Sequence, residues 1–148
     1  MFEFVKKTSF YIVFLFCFLN MTCDDEDIDM DKSGCGYEVV VDKNEYDGLL
    51  SDHFNFVDAE IVGDCLFLKI AASGCTGDTW GFRLVDSEAV AESLPEQRFL
   101  KFQLNNEELC LAVFEKTISF DLRVLQIHES GELLLNIDGL EDSLSYKY

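Results

Sequence analysis

Thr117-Ile118-Ser119-Phe120-Asp121-Leu122-Arg123-Val124 alternates apolar and polar residues without a break. Ile118, Phe120, Leu122 and Val124 fall on one side, and Thr117, Ser119, Asp121 and Arg123 on the other. A period of two places successive side chains on opposite faces of a pleated strand, so this stretch reads as a strand with one buried face. The same period recurs outward in both directions. Leu100, Phe102 and Leu104 alternate with Lys101 and Gln103, and Trp80, Phe82 and Leu84 with Gly81, Arg83 and Val85. Near the end, Leu144, Tyr146 and Tyr148 alternate with Ser143, Ser145 and Lys147. Stretches 37–42, 56–62, 65–71, 109–115 and 132–138 complete nine expected strands. Turn residues separate them at Gly63-Asp64, 73–79, Asn105-Asn106, Ser130-Gly131 and Asp138-Gly139. Segment 45–53 reads as a turn or one short helix, and 87–92 as a helical turn stopped near Pro95. Many short strands with regular turns predict an all-β fold, an antiparallel β-sandwich of immunoglobulin-like type, with a small closed barrel as the alternative.

The 148 residues suit one domain. Eleven Lys+Arg against 29 Asp+Glu give a net charge of -18. Affinity for phosphate backbones and for anionic lipid rests on clustered cations, so nucleic acid and electrostatic membrane docking are excluded as roles. With 49% apolar residues the chain is no disordered acidic tail, and no internal repeat or second domain is visible.

Residues 1–22 read as a signal peptide. Lys6 and Lys7 form a positive start, and FYIVFLFCFL (10–19) is an apolar run. Crossing a bilayer takes about 20 residues, which this run lacks. Leu19-Asn20-Met21-Thr22-Cys23 resembles a bacterial lipobox, which implies lipidation of Cys23 and a membrane partner through the lipid anchor. Asn20 and Thr22 depart from the usual lipobox residues. Six of the eight residues from Asp24 to Asp31 are acidic, so 23–34 is expected to be an extended, solvated tether. An acidic run after a lipidated Cys resembles the surface-export signal of Bacteroidetes lipoproteins, whereas in enterobacteria an Asp after that Cys implies inner-membrane retention. Asp27, Asp29, Asp31 and Glu38 match an EF-hand spacing, but Lys32 occupies the position where the loop needs Gly, so no metal site is assigned. The domain proper is 35–148. Loss of residues 1–22 removes Glu3, Lys6 and Lys7, leaving a net charge of -19.

Cys35, Cys65, Cys75 and Cys110 remain once Cys23 is lipidated and Cys17 is set aside within the apolar run. An even number in an exported chain implies disulfides. Zinc is the competing use, but there is no CxxC or close Cys–His pair, and His53 and His128 are the two histidines available. If strands alternate in direction, Cys65 and Cys75 lie at opposite strand ends, about 33 Å apart at ~3.3 Å per residue. A bridge needs Cα atoms within about 7 Å. Strand direction then brings Cys75 to Cys110 at one pole and Cys35 to Cys65 at the other.

No catalytic residue and no cofactor are assigned. His53 lies in a polar loop and His128 follows a strand, with no G-x-S-x-G elbow nearby. Paired carboxylates have no specificity in so acidic a chain. Ser73-Gly74-Cys75-Thr76-Gly77-Asp78-Thr79-Trp80 stands out: two Gly, a bridge at Cys75 and an aromatic make either a rigid recognition loop displaying Thr76, Asp78 and Thr79, or a plain turn with Trp80 in the core.

Gly63-Asp64-Cys65-Leu66, Ala72-Ser73-Gly74-Cys75, Trp80, Ser93-Leu94-Pro95-Glu96-Gln97-Arg98, Glu108-Leu109-Cys110 and Ser119-Phe120-Asp121-Leu122 resemble a group of small, uncharacterised flavobacterial lipoproteins. The resemblance implies export and a β-rich body, and carries over no catalytic or binding residue. The resulting expectation is a non-catalytic, lipid-anchored outer-membrane protein of the cell envelope, exposed at the surface, that binds an envelope protein or a glycan. A secreted protease inhibitor presenting a stiff loop is the alternative, and a small carboxylate-dependent hydrolase the third reading. The position of Cys23 between the apolar run and the acidic run makes the first test direct. Cys23→Ala is expected to abolish fatty-acid labelling of the protein in cells, and unchanged labelling would exclude Cys23 as the anchor.

Overall fold

The structure, a computed structural model, describes residues 34–148; the signal segment, Cys23 and the tether up to residue 33 lie outside the described residues. In chain order the strands are β1 (Tyr37–Glu38), β2 (Val40–Val41), β3 (Asn55–Val62), β4 (Cys65–Gly74), β5 (Gly81–Ala91), β6 (Glu96–Asn105), β7 (Ala112–Asp121), β8 (Glu132–Ile137) and β9 (Leu144–Lys147). A helix, α1 (Lys43–Gly48), lies between β2 and β3, and a 3-10 turn (Arg123–Leu125) follows β7. Two open sheets form, one in the order β1-β7-β4-β3 and the other β2-β5-β6-β8-β9.

The alternating apolar sets meet between these sheets, as the sandwich reading predicts. Leu66, Leu68 and Ile70 of β4 and Ile118 and Phe120 of β7 are buried with Leu84, Leu100, Phe102, Leu104, Leu133 and Leu135 of the other sheet. Phe102 is the hub. Its ring centroid lies 5.0 Å from Phe54, 6.0 Å from Phe56, 6.0 Å from Phe120 and 6.2 Å from Phe82. The pairs with Phe54 and Phe120 are edge-to-face, an arrangement that adds to the area the rings bury.

The pairing differs from an all-antiparallel immunoglobulin arrangement. β1–β7, β2–β5 and β6–β8 run parallel. Parallel neighbours require a crossover, and the chain makes one between β6 and β8 by building β7 into the opposite sheet. The strand order is accordingly not the ABED/CFG order of an immunoglobulin domain.

Four local expectations also change. Stretch 37–42 is not one strand: β1 pairs with β7, Val39 turns into the core, and β2 pairs with β5 in the other sheet. Stretches 109–115 and 117–124 become the single strand β7, beginning at Ala112 and ending at Asp121. Beyond it the 3-10 turn buries Leu125 and leaves Val124 54% exposed, so the alternation fails at Val124. The helical turn at 87–92 is instead the end of β5, with a bulge between Asp86 and Val90. Tertiary burial decides this last case. Asp86 is fully buried, with Oδ1 2.9 Å from Arg98 Nη1 and accepting the N–H of Glu88, which holds Glu88 at φ 61°. Among the described residues, Asp86 Oδ2 and Arg98 Nε have no hydrogen-bond partner. Burial pushes the Asp86 carboxyl up, against the pull of Arg98. Segment 45–53 is a short helix only in its first part: α1, capped by Asp42 accepting from Glu45 N–H, ends at Gly48, and beyond it runs an irregular stretch whose Asp52 N–H donates to Leu104 O.

Phe102→Ala is expected to cost about 3–5 kcal/mol, as for other fully packed aromatic truncations. Urea denaturation of the oxidised protein measures it. A loss under about 1 kcal/mol would show that the two sheets do not depend on this ring.

Candidate functional site

The ladder between β4 and β7 has Cys65 opposite Asp121 at one end and Gly74 opposite Ala112 at the other. It therefore defines two poles. Cys35 joins Cys65 at the first, with Cα atoms 5.3 Å apart, and Cys75 joins Cys110 at the second, with Cα atoms 4.8 Å apart.

The second pole is built around the carboxylate of Glu108, which the sequence reading does not single out. The backbone N–H groups of Cys75, Thr76 and Gly77 and the hydroxyl of Thr79 all donate to it, at 3.0 Å from Thr76 and 2.8 Å from Thr79. Successive N–H groups in a tight turn make a concavity suited to an anion. Here the chain supplies its own. These bonds, led by Gly77, hold the Glu108 carboxyl down at about 2. Gly77 takes φ +72°, where a side chain would be strained, and a Cβ on Gly74 would lie 2.8 Å from Trp80 Cζ2. Asn106 completes the frame by donating to Ser73 O and accepting from Glu108 N–H. Lys116 donates to Gly77 O and lies 3.8 Å from Asp78.

The expected recognition residues divide accordingly. Thr79 is engaged with Glu108, and Thr76 Oγ1 accepts from Asp78 N–H. The Asp78 side chain is 80% exposed. Trp80 is buried in the core, as its alternation with Phe82 and Leu84 implies.

What the rigid frame displays is apolar. Leu109, Leu111 and Val113 are 94%, 91% and 70% exposed, on either side of the bridged Cys110. Sequence reasoning placed them on a separate strand, 109–115, and assigned them no face. The usable signal was phase: in one continuous strand with Ile118 and Phe120 inward, Val113 must point outward. Contiguous exposed apolar side chains on an ordered frame mark interaction surfaces, whereas single ones are ordinary.

An open groove of about 620 Å³ lies elsewhere, between β3 and the β8–β9 hairpin. Phe54 and Phe56 form part of its lining, with Asp58, Asp138, Glu141 and Asp142. Among the described residues no cluster has the composition to hold a metal ion.

No family model and no curated protein matches the chain. Solved structures share its fold. A protein of unknown function (DUF1344) from Bacteroides vulgatus aligns with TM-score 0.53 and 15% identity over 76% of this chain and 56% of its own. A putative toxin-related protein from Parabacteroides distasonis gives TM-score 0.51 and 15% identity over 78% and 60%, and a NigD-like immunity protein from Bacteroides caccae 0.52 and 12% over 74% and 59%. The chain thus spans less than two thirds of the length of each. At this identity the likeness shows the fold alone: a two-sheet β-sandwich that also occurs in proteins of Bacteroides and Parabacteroides.

The Glu108 frame makes a pH prediction. A carboxyl held at about 2 when folded, against an ordinary 4.5, adds stability that is fully present above pH 4.5 and is lost as pH falls through about 2. Thermal melts across that window are expected to show a shallower acid limb for Glu108→Gln than for the native protein. Identical limbs would mean that the carboxylate is not held by the loop.

Proposed function

We propose that this protein is a non-catalytic, lipid-anchored module of the cell envelope that docks on another envelope component through the Cys75–Cys110 pole. The single observation that carries the reading is the row of Leu109, Leu111 and Val113, exposed on a frame locked by a disulfide and by the Glu108 bonds. Holding the surface rigid before binding lowers the entropy lost on association. The lipobox-like Cys23 and the acidic run after it support anchoring at the outer membrane, facing outward, in a lipoprotein of the flavobacterial kind. The description of one structural neighbour as an immunity protein is compatible with a module that binds rather than catalyses.

A protease inhibitor is the second reading. Its supporting observation is that Leu109-Cys110-Leu111 lies outside any strand, exposed and fixed by the bridge, as an inhibitory loop must be.

The test uses Leu109→Ser/Leu111→Ser, which leaves the core untouched. A component cross-linked to the native protein in intact envelopes, once purified, is expected to bind the variant at least tenfold more weakly, about 1.4 kcal/mol. Equal binding would remove the pole as the docking surface. A captured peptidase blocked by the native protein would replace the accessory reading with the inhibitor.

A further inference from the structure

β7 is paired along its whole length on one side and almost nowhere on the other. Its ladder with β4 is complete and free of register shifts. On the opposite side it meets β1 through Tyr37↔Phe120 and Glu38↔Asp121 alone. Among the described residues, the outward backbone groups from Ala112 to Ser119 therefore have no strand partner. Natural edge strands are usually guarded by shortness, Pro, a bulge or charged side chains, Lys above all. β7 has ten residues, no Pro and no bulge. Its one lysine, Lys116, is taken up by Gly77 O and Asp78, and Glu115 is paired with Lys69 of the neighbouring strand.

We infer that the edge of β7 from Val113 to Ser119 accepts an extended, cation-bearing strand of a partner protein. Strand addition draws affinity from main-chain hydrogen bonds and specificity from alternate side chains. Seven residues span about 23 Å at ~3.3 Å each. Val113, Glu115 and Thr117 share one face by parity, and the exposed Leu109 and Leu111 lie just before the strand. A matching strand would set an apolar residue beside Val113, a Lys or Arg beside Glu115 and a β-branched or small residue beside Thr117.

Charge selects the occupant. Glu115 lies on this strand and shares its carboxylate with Lys69 of β4 at 2.6 Å, Asp78 lies 3.8 Å from Lys116, and the chain as a whole carries -18. A second copy of this chain would bring the same acids against the same acids, and the acidic run 24–31 would do likewise. A cationic partner strand removes that repulsion.

The inference rests on the pole as a docking surface and adds the mode of docking. The experiment is amide hydrogen exchange of the full chain with a capped seven-residue peptide carrying Lys at its centre, Leu two residues to one side and Thr two to the other. The outward-facing N–H groups among Val113 to Ser119 are expected to exchange at least tenfold more slowly with the peptide bound. A central Glu should weaken binding at least tenfold, and N-methylation of alternate peptide amides should abolish the protection. Protection already present without peptide would show that another copy or the chain's own acidic run occupies the edge, and would overturn the proposal. So would absence of binding at millimolar peptide, or equal binding of the N-methylated form. A partner captured through Leu109 and Leu111 that leaves these amides unprotected would refute strand addition while sparing the docking surface. Failure of that capture would refute the surface itself.

Discussion

Everything in this fold depends on the contact between two sheets whose inner faces have no other cover, and that contact centres on the ring of Phe102. Neither sheet is closed, and an open sheet with one apolar face is stable only against another layer. Phe102 reaches Phe120 in the facing sheet and Phe54 and Phe56 at its far edge, so one ring fixes how the layers sit on each other. The first strands add a second tie. Tyr37 touches both Phe82 and Phe120, and the chain passes within five residues from pairing with β7 to pairing with β5. Among the described residues, that passage leaves the edge of β7 without a strand partner before Phe120.

The poles are secured by different means. At one, the bridge Cys35–Cys65 ties the entering chain to the start of β4, and Gly36 N–H donates to Ser119. At the other, a bridge and an internal carboxylate act together. The turn over 75–79 aims three N–H groups at one point, an arrangement that would recruit an anion from solution if Glu108 did not fill it. The chain thereby spends its most obvious ligand-binding geometry on rigidity, and the surface left for a partner is the apolar row beside it.

The buried pair Asp86–Arg98 is a third kind of constraint. Its partly unmet hydrogen-bonding capacity makes it a poor source of stability, since desolvation offsets most of the attraction between the charges. Its visible effect is conformational: it bulges β5 and holds Glu88 in a left-handed backbone.

The residues themselves determined the class of fold and its inward faces. Alternation in β4, β6 and β7 has a period of two and an apolar side, and pleat geometry leaves one way to bury it. Strand direction alone also placed Cys75 beside Cys110, because a bridge cannot span a strand's length. Turn, helix and bulge were less legible where local preference and tertiary burial compete: 87–92 favours a helical turn locally, and becomes strand because Asp86 reaches Arg98. Sheet membership was decided only in three dimensions, as the parallel pairing of β6 with β8 shows, since no local signal states which sheet the intervening strand will join. The candidate site followed the same division. Cys75, Cys110 and the glycine-rich turn stand out in one dimension, whereas the role of Glu108 depends on hydrogen bonds to a turn 31 residues away and the exposure of Val113 on the phase of a strand that is continuous only in the folded chain.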